Sequence, residues 1–412
     1  MKLPSMNMNV NLRRGARGDV VGLDIQPGFV AAVQARCNGQ IIAERASALS
    51  LAADTVRDGE VADDGALTEV LRELFAGGSG LSKRVRVGIA NQRTVLRILE
   101  LPPLTDRKEL AAAVSFQAQE QVPMPLNNAV LDFHPLGVID TPAGPRQRVV
   151  LVAAQRDMVE RLLSAVRAAG LTPEGIDLSA FALIRSLYRP DHAHAGRVLY
   201  LNVDGLTNLA IAEGSVCRFT RVVGSGLEGL AGQIAVRLAV SVAEAHELLA
   251  ATDLGADPVQ APQPTQPEPD PEPEPAADGD EPSASDSEAQ EARERAMSYE
   301  ELAAVPEPRV EQKLSNDAVV REVLENGIRE LSGEVRNSLD FHRSQDGGGE
   351  VSHLVLSGAA QDISGFGEAL QQSLGVEVRS ETVDVADEHV GPGVSTHRLA
   401  VATGLAAVEA LQ

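Results

Sequence analysis

The sequence predicts an α/β protein built from two related lobes. Two observations carry that expectation. Three short apolar runs near the start, DVVGLDI, FVAAVQAR and QIIAERAS, are answered near the middle by RVLYLNVDG, TNLAIAEG and SVCRFTRVVG. Each triplet is broken by turn residues and followed by helical spacing, so element order repeats while the letters do not. A late run, HLVLSG, adds a buried strand to the second half. At 412 residues the chain exceeds one compact core and suits two or three domains.

Residues 1–18 are polar and basic and read as a loose arm. Pro27-Gly28 and Asn38-Gly39 separate the first three strands as turn signals. Leu67, Val70, Leu71 and Leu74 set a helix over 64–75, stopped by Gly77-Gly78. RVRVGIA alternates with period two and reads as a strand over 84–90. A second unit holds the strand TVLRILELP, a helix over 106–121, the strands NAVLDFHPL and RVVLVAA, and a helix over 158–169 capped by Gly170. Strand and helix resume over 176–187. After the second meander, helices are expected over 227–238 and 242–249.

The pattern then collapses. Between 257 and 290 there are ten Asp or Glu and no Lys or Arg, interleaved with proline. Such a stretch buries too little surface to offset its conformational entropy, so 252–315 is expected to be a disordered acidic insertion. The stretch EARERAMSYEEL inside it reads as solvated helix. Order returns with a helix over 317–345 whose stripe is Val320, Leu324, Ile328, Leu331, Val335 and Leu339. Gly347-Gly348-Gly349 ends it. A helix over 361–374, the strand VEVRS and an Ala-rich helix over 397–411 complete the chain.

The formal charge of −23 argues against nucleic acid and anionic lipid headgroups, whose binding draws on Lys and Arg. Cys37 and Cys217, the two cysteines, sit in apolar strand contexts and are expected to be buried packing residues. No run approaches the roughly 18 apolar residues of a membrane span. The start lacks the apolar core of a signal peptide, so a cytoplasmic location is expected.

The order of these segments resembles the actin-like ATPase superfamily, and within it the PilM type of pilus-assembly protein related to FtsA. GLDI at 22–25 looks like the opening strand. AAVSFQAQEQVPMPL at 112–126 followed by LDFHPLG is similar to the stretch around the family's peptide groove. LVAAQRDMVERLLSAVRAAGLTPEGIDLSAFAL at 151–183 is the densest match. CRFTRVVGSG at 217–226, ELSGEVRNSLDFHRSQ at 330–345 and LVLSGAAQDISGFGEAL resemble the second lobe's turn, helix and adenosine loop. The resemblance implies a ribonuclease H-like two-lobed fold with an inserted small subdomain. Lobe 1 would take 19–91 and 173–196 with a C-terminal helix at 396–412, the insertion 92–172, and lobe 2 197–251 and 316–395.

It also implies a nucleotide cleft. Its positions fall on Asp24, Gln26 and Gly28 in the first turn and on Asn202, Asp204, Gly205 and Thr207 in the second. Gly224 and Gly226 fall on the glycine turn, and Ser357, Gly358 and Ala359 on the adenosine loop. Asp24 would hold Mg²⁺. The sequence departs from the family at each part. Gln26-Pro27 replaces a Gly-bearing turn, and Ala31 or Ala32 stands at the Lys position. Asn202 replaces an acid, Asp204 stands where glycine is usual, and His246 and Leu249 replace a ribose-binding Glu and Lys. The expectation is weak or absent ATP binding and at most weak ATP hydrolysis, which would not be the function. The implied partner is the cytoplasmic N-terminal peptide of a PilN-like inner-membrane protein, with Val114, Phe116, Val122 and Met124 as groove walls. Membrane association would then be indirect, and self-association is open.

Other readings are weaker. His134, His192, His194, His342, His353 and His397 show no HExxH-like spacing. No Gly-x-Ser-x-Gly elbow occurs, and Gly224-Ser225-Gly226 reads as a turn into a helix. The alternative is an active actin-like ATP-binding protein. A small-molecule kinase would need a carboxylate base in the cleft, for which Asp204 is a poor candidate. A division filament of the FtsA kind carries a basic amphipathic C-terminal helix, unlike AAVEALQ.

Overall fold

Two sheets with the same strand order organise the chain, as the repeat predicts. The computed structural model describes residues 20–37, 40–76, 80–189, 196–224, 226–255, 316–345, 348–386, 391 and 394–407. Contacts divide the chain into a unit of 1–255 with 319–412 and a second unit of 256–318. The arm at 1–18 and the acidic segment from 256 to 315 lie outside the described residues. Residues 252–255, expected to begin that segment, belong instead to the ordered unit: the Leu254 amide donates to the Ser364 carbonyl at 2.9 Å.

The first meander is β1 (Val21–Gln26), β2 (Phe29–Cys37) and β3 (Ile41–Ser50), followed by a small hairpin, β4 (Val56–Arg57) and β5 (Glu60–Val61). Helix α1 (Asp64–Leu74) starts where the Asp63 carboxylate accepts from the Ala66 amide, the usual N-cap bond. Next come β6 (Arg84–Ile89), β7 (Val95–Leu101), α2 (Arg107–Gln121), β8 (Ala129–Thr141) and β9 (Gly144–Gln155). Helix α3 (Arg156–Ala168), β10 (Thr172–Leu178) and α4 (Ser179–Leu187) close this half.

The second half repeats the plan with β11 (Arg197–Val203), β12 (Thr207–Glu213), β13 (Val216–Val223), α5 (Leu227–Leu238) and α6 (Val242–Ala251). It continues with α7 (Asn316–Ser344), β14 (Val351–Ser357), α8 (Phe366–Leu374), β15 (Val378–Ser380), β16 (Asp384–Val385) and α9 (Ala400–Ala406). The first sheet runs β10-β6-β1-β2-β3-β16 and the second β13-β12-β11-β14-β15. Each is an antiparallel meander whose first strand is then joined by two parallel strands.

A third sheet, β7-β9-β8, forms the inserted subdomain, covered by α2. Helix α3, expected within that subdomain, instead packs Met158, Val159, Leu162 and Leu163 into the core of the first sheet beside Leu67 and Leu71. All six stripe residues of α7 are buried against the second sheet. The helix expected over 361–374 starts only at Phe366: a 3-10 turn over Ala359–Asp362 comes first, and Gly365 at φ 79° caps the helix. Cys217 is buried, but Cys37 is exposed at the end of β2, contrary to expectation.

Between the two sheets lies an alanine-rich layer made by α4 and α9. Small residues let backbones approach closely there. A Cβ on Gly22 would overlap the Ala402 carbonyl, and one on Gly404 the Ala182 carbonyl. The exposed carbonyls at the end of α9 are bound by two arginines: Arg86 Nη1 donates to Leu405 at 2.9 Å and Arg185 Nη1 to Gly404 at 2.6 Å. Arg185 is fixed in turn by Asp177, 2.9 Å away. The close approaches at Gly22 and Gly404 set α9 against β1 and α4, and with it the segment just before α9 that enters the cleft.

Candidate functional site between the lobes

The β1–β2 turn and the β11–β12 turn meet at the mouth of a cavity of about 560 Å³. Of the residues singled out in the sequence, Pro27, Gly28, Asp204, Gly205, His246, Leu249 and Ala359 line it. Gly28 has φ 75° and so needs glycine. Leu51, Leu227, Val242, Leu249 and Ile363 supply apolar walls, and Glu228, His246, Glu247, Asp362 and Arg398 supply charge or polarity.

Asp24, Gln26 and Asn202 do not line the cavity; they are buried behind the turns. Gln26 Nε2 donates to Asp24 Oδ2 at 2.8 Å. Desolvation by burial pushes the Asp24 carboxyl up to about 7, with the Gln26 bond opposing the rise. Thr207 and Ser357 are fully buried in their strands. Gly358 takes φ 93°, and a Cβ there would crowd the Val203 backbone. Gly224 faces elsewhere, toward the Gln92 amide. Gly226 caps α5, and a Cβ on it would overlap the Gly205 and Asp204 carbonyls. Ala31 and Ala32, at the expected Lys position, are wholly buried.

The two turns touch. A Cβ on Gly205 would overlap the Pro27 carbonyl, and one on Gly28 would overlap the Glu228 carboxylate. Glu228 Oε2 also lies 2.9 Å from His246 Nε2. The second turn binds its own carboxylate. The Gly205 amide donates to Asp204 Oδ1 at 3.0 Å, while the Leu227 amide at the start of α5 donates to the Asp204 carbonyl at 2.8 Å.

The residue that sequence reasoning missed is Arg398. Its Nε donates to Asp204 Oδ2 at 3.1 Å and its Nη2 to Asp204 Oδ1. The guanidinium carbon lies 3.5 Å from the centre of the Phe29 ring on β2. Beside it, His397 Nδ1 lies 2.6 Å from Asp362 Oδ1, and Ser395 Oγ donates to the same oxygen at 3.1 Å. Nothing local in the sequence marks Arg398, because its partner lies 194 residues away.

The proposed groove residues separate. Val114 and Val122 are buried in the core of the inserted subdomain with Leu110, Leu99 and Leu151, which makes them packing residues and not walls. Met124 is half-buried against that core. Phe116 is 64% exposed on α2. Among the described residues no group of three or more His, Cys, Asp or Glu is placed to hold a metal ion. No helix among them is long and apolar enough to cross a membrane.

Paired sheets of one strand order, each opening on a hairpin whose turn faces the other across a cleft, define the actin-like two-lobed fold. The chain belongs to the type IV pilus assembly protein PilM family, whose model matches residues 22–259. Among solved structures it is similar to the PilM-PilN type IV pilus biogenesis complex, with 21% identity and a TM-score of 0.66 over 96% of this chain and 100% of that one. Ethanolamine utilization protein EutJ from Carboxydothermus hydrogenoformans matches at 14% identity and TM-score 0.48, covering 98% of this chain and 93% of that one. MreB5 of Spiroplasma citri bound to ADP matches at 12% and 0.45, covering 93% and 94%.

Proposed function

We propose that the protein is a non-enzymatic scaffold of the type IV pilus assembly machine. It sits at the inner face of the cytoplasmic membrane by holding the N-terminal peptide of a PilN-like inner-membrane protein. It does so without ATP or Mg²⁺. The observation that carries the nucleotide part of this reading is the contact between the two turns. A triphosphate needs free backbone donors and positive charge at such turns. Here the Gly205 amide is spent on Asp204, the Glu228 carboxylate faces Gly28, and Arg398 is committed to Asp204. The lining carries the carboxylates Asp204, Glu228, Glu247 and Asp362 against that one guanidinium, a balance that repels phosphate. Asp24 faces Gln26 and not the cavity, so the carboxylate expected to hold Mg²⁺ does not reach it.

The family match and the complex formed by the similar PilM support the peptide part. Phe116 supplies an aromatic anchor of the kind that dominates peptide docking. Phe116→Asp is expected to weaken binding of the PilN-like N-terminal peptide at least about tenfold, or ~1.4 kcal/mol. The melting temperature should hold, since the side chain is mostly in water. Fluorescence anisotropy with a labelled peptide reads the first and thermal melting the second. Equal affinities for wild type and variant would remove Phe116 from the interface.

A further inference from the structure

The short segment Ser395–Arg398 crosses from one lobe to the other and carries a cluster of polar contacts between them. Asp362 and Asp204, which it binds, belong to the second lobe, and the Gly358 amide donates to the His397 carbonyl at 3.0 Å. Helix α9, which follows directly, is buried against β1 and α4 of the first lobe. The Arg398 guanidinium itself lies between the Phe29 ring of the first lobe and the Asp204 carboxylate of the second. Asp204 is 1% exposed and Arg398 is its ion-pair partner. A carboxylate so buried is strongly unfavourable unless paired and hydrogen-bonded. Forked donation plus stacking is something a guanidinium can do and an ammonium cannot.

We infer that Asp204 and Arg398 are a resident anion and counter-ion that take the place of a bound ligand and latch the two lobes in one arrangement. The turn's own carboxylate fills its anion-binding geometry, and the guanidinium bridges the gap to the first lobe. The proposal rests on the nucleotide-independent reading and adds to it a residue and a role. Lobe geometry is then set by the chain itself, so a partner meets a preformed surface at any nucleotide level.

The test uses the full chain with Cys37→Ser, so that the exposed thiol does not react. The remaining native thiol, Cys217, is buried and pushed up to about 12 and stays inert. Spin labels go on the exposed positions Glu69 on α1 and Asp340 on α7, and pulsed dipolar spectroscopy reads the distance between the lobes. Hydrogen exchange reads the Gly205 and Leu206 amides. The parent protein is expected to give one narrow distance, unchanged by ATP with Mg²⁺. Arg398→Ala should broaden that distribution at least about twofold and speed exchange at the turn at least about tenfold. Arg398→Lys should fall between and serves if the alanine variant does not fold. Arg185→Ala breaks an ion pair of similar kind within the first lobe; it should lower the melting temperature and leave the distance alone.

An unchanged distance and unchanged turn exchange in Arg398→Ala and Arg398→Lys would overturn the latch while leaving the nucleotide-free reading intact. A distance in the parent that shifts with ATP and Mg²⁺ would overturn that reading, and the latch with it. Broadening by Arg185→Ala equal to that of Arg398→Ala would show general loosening and also overturn the latch.

Discussion

Replacing Gly404 by alanine is expected to destabilise the protein by more than about 4 kcal/mol, enough to unfold it or drive it to aggregate. The added methyl would overlap the backbone carbonyl of Ala182, and backbone inside a packed helix pair cannot move aside. The damage would spread, because α9 touches α4, β1 and the alanine layer between the sheets. It would also displace the Gly404 carbonyl from Arg185, leaving the buried Asp177–Arg185 pair poorly supported. Gly232→Ala makes the same chemical change in α5, where a methyl meets nothing within 4 Å. That variant should gain roughly 0.5–1 kcal/mol from helix propensity. Thermal melting followed by circular dichroism separates the two. Melting of Gly404→Ala within a few degrees of wild type would mean that α9 does not pack as described.

The second large effect is expected at Asp24, and its sign depends on pH. The carboxyl is raised from 3.8 to about 7. Between those values the native state holds a proton that the unfolded chain has released, so stability falls as pH rises through the window. Above pH 7 the native protein carries the whole penalty of a buried charge, on the order of 4 kcal/mol from the size of the rise. Asp24→Asn removes the charge and keeps an oxygen to accept from Gln26. It should therefore raise the melting temperature clearly more at pH 8 than at pH 5, where the penalty has reached only roughly 1.6 kcal/mol. An equal difference at both pH values, or a loss at pH 8, would sink this account. Stabilisation of the wild type alone by Mg²⁺ at pH 8 would mean that the carboxylate serves a cation after all.

Local signals in the sequence located most elements. The stripe of α7, the bounds of α5 and the doubled meander were legible because periodicity reports which face of an element is buried. What periodicity cannot report is the partner of that face. Helix α3 has a good apolar stripe, yet the stripe fits the first sheet's core and not the subdomain before it in sequence. Val114 and Val122 carry the same kind of side chain as a groove wall, and only packing shows them to be interior. The site was half legible. Glycines at the two turns were visible, as were Pro27 and Asp204 beside them. Arg398 was invisible because an ion pair spanning 194 residues leaves no local trace. The short pairing of β16 with β3, two residues long, is equally silent.

The central claim is that this chain holds a pilus partner and not a nucleotide. Calorimetric titration of the purified protein, in Mg²⁺ buffer, with the PilN-like N-terminal peptide and separately with ATP tests it most directly. The account predicts heat and a saturating isotherm for the peptide, no saturable binding of ATP, and the same peptide affinity whether or not ATP is present. Saturable ATP binding, or a peptide that binds only when ATP is present, would contradict it.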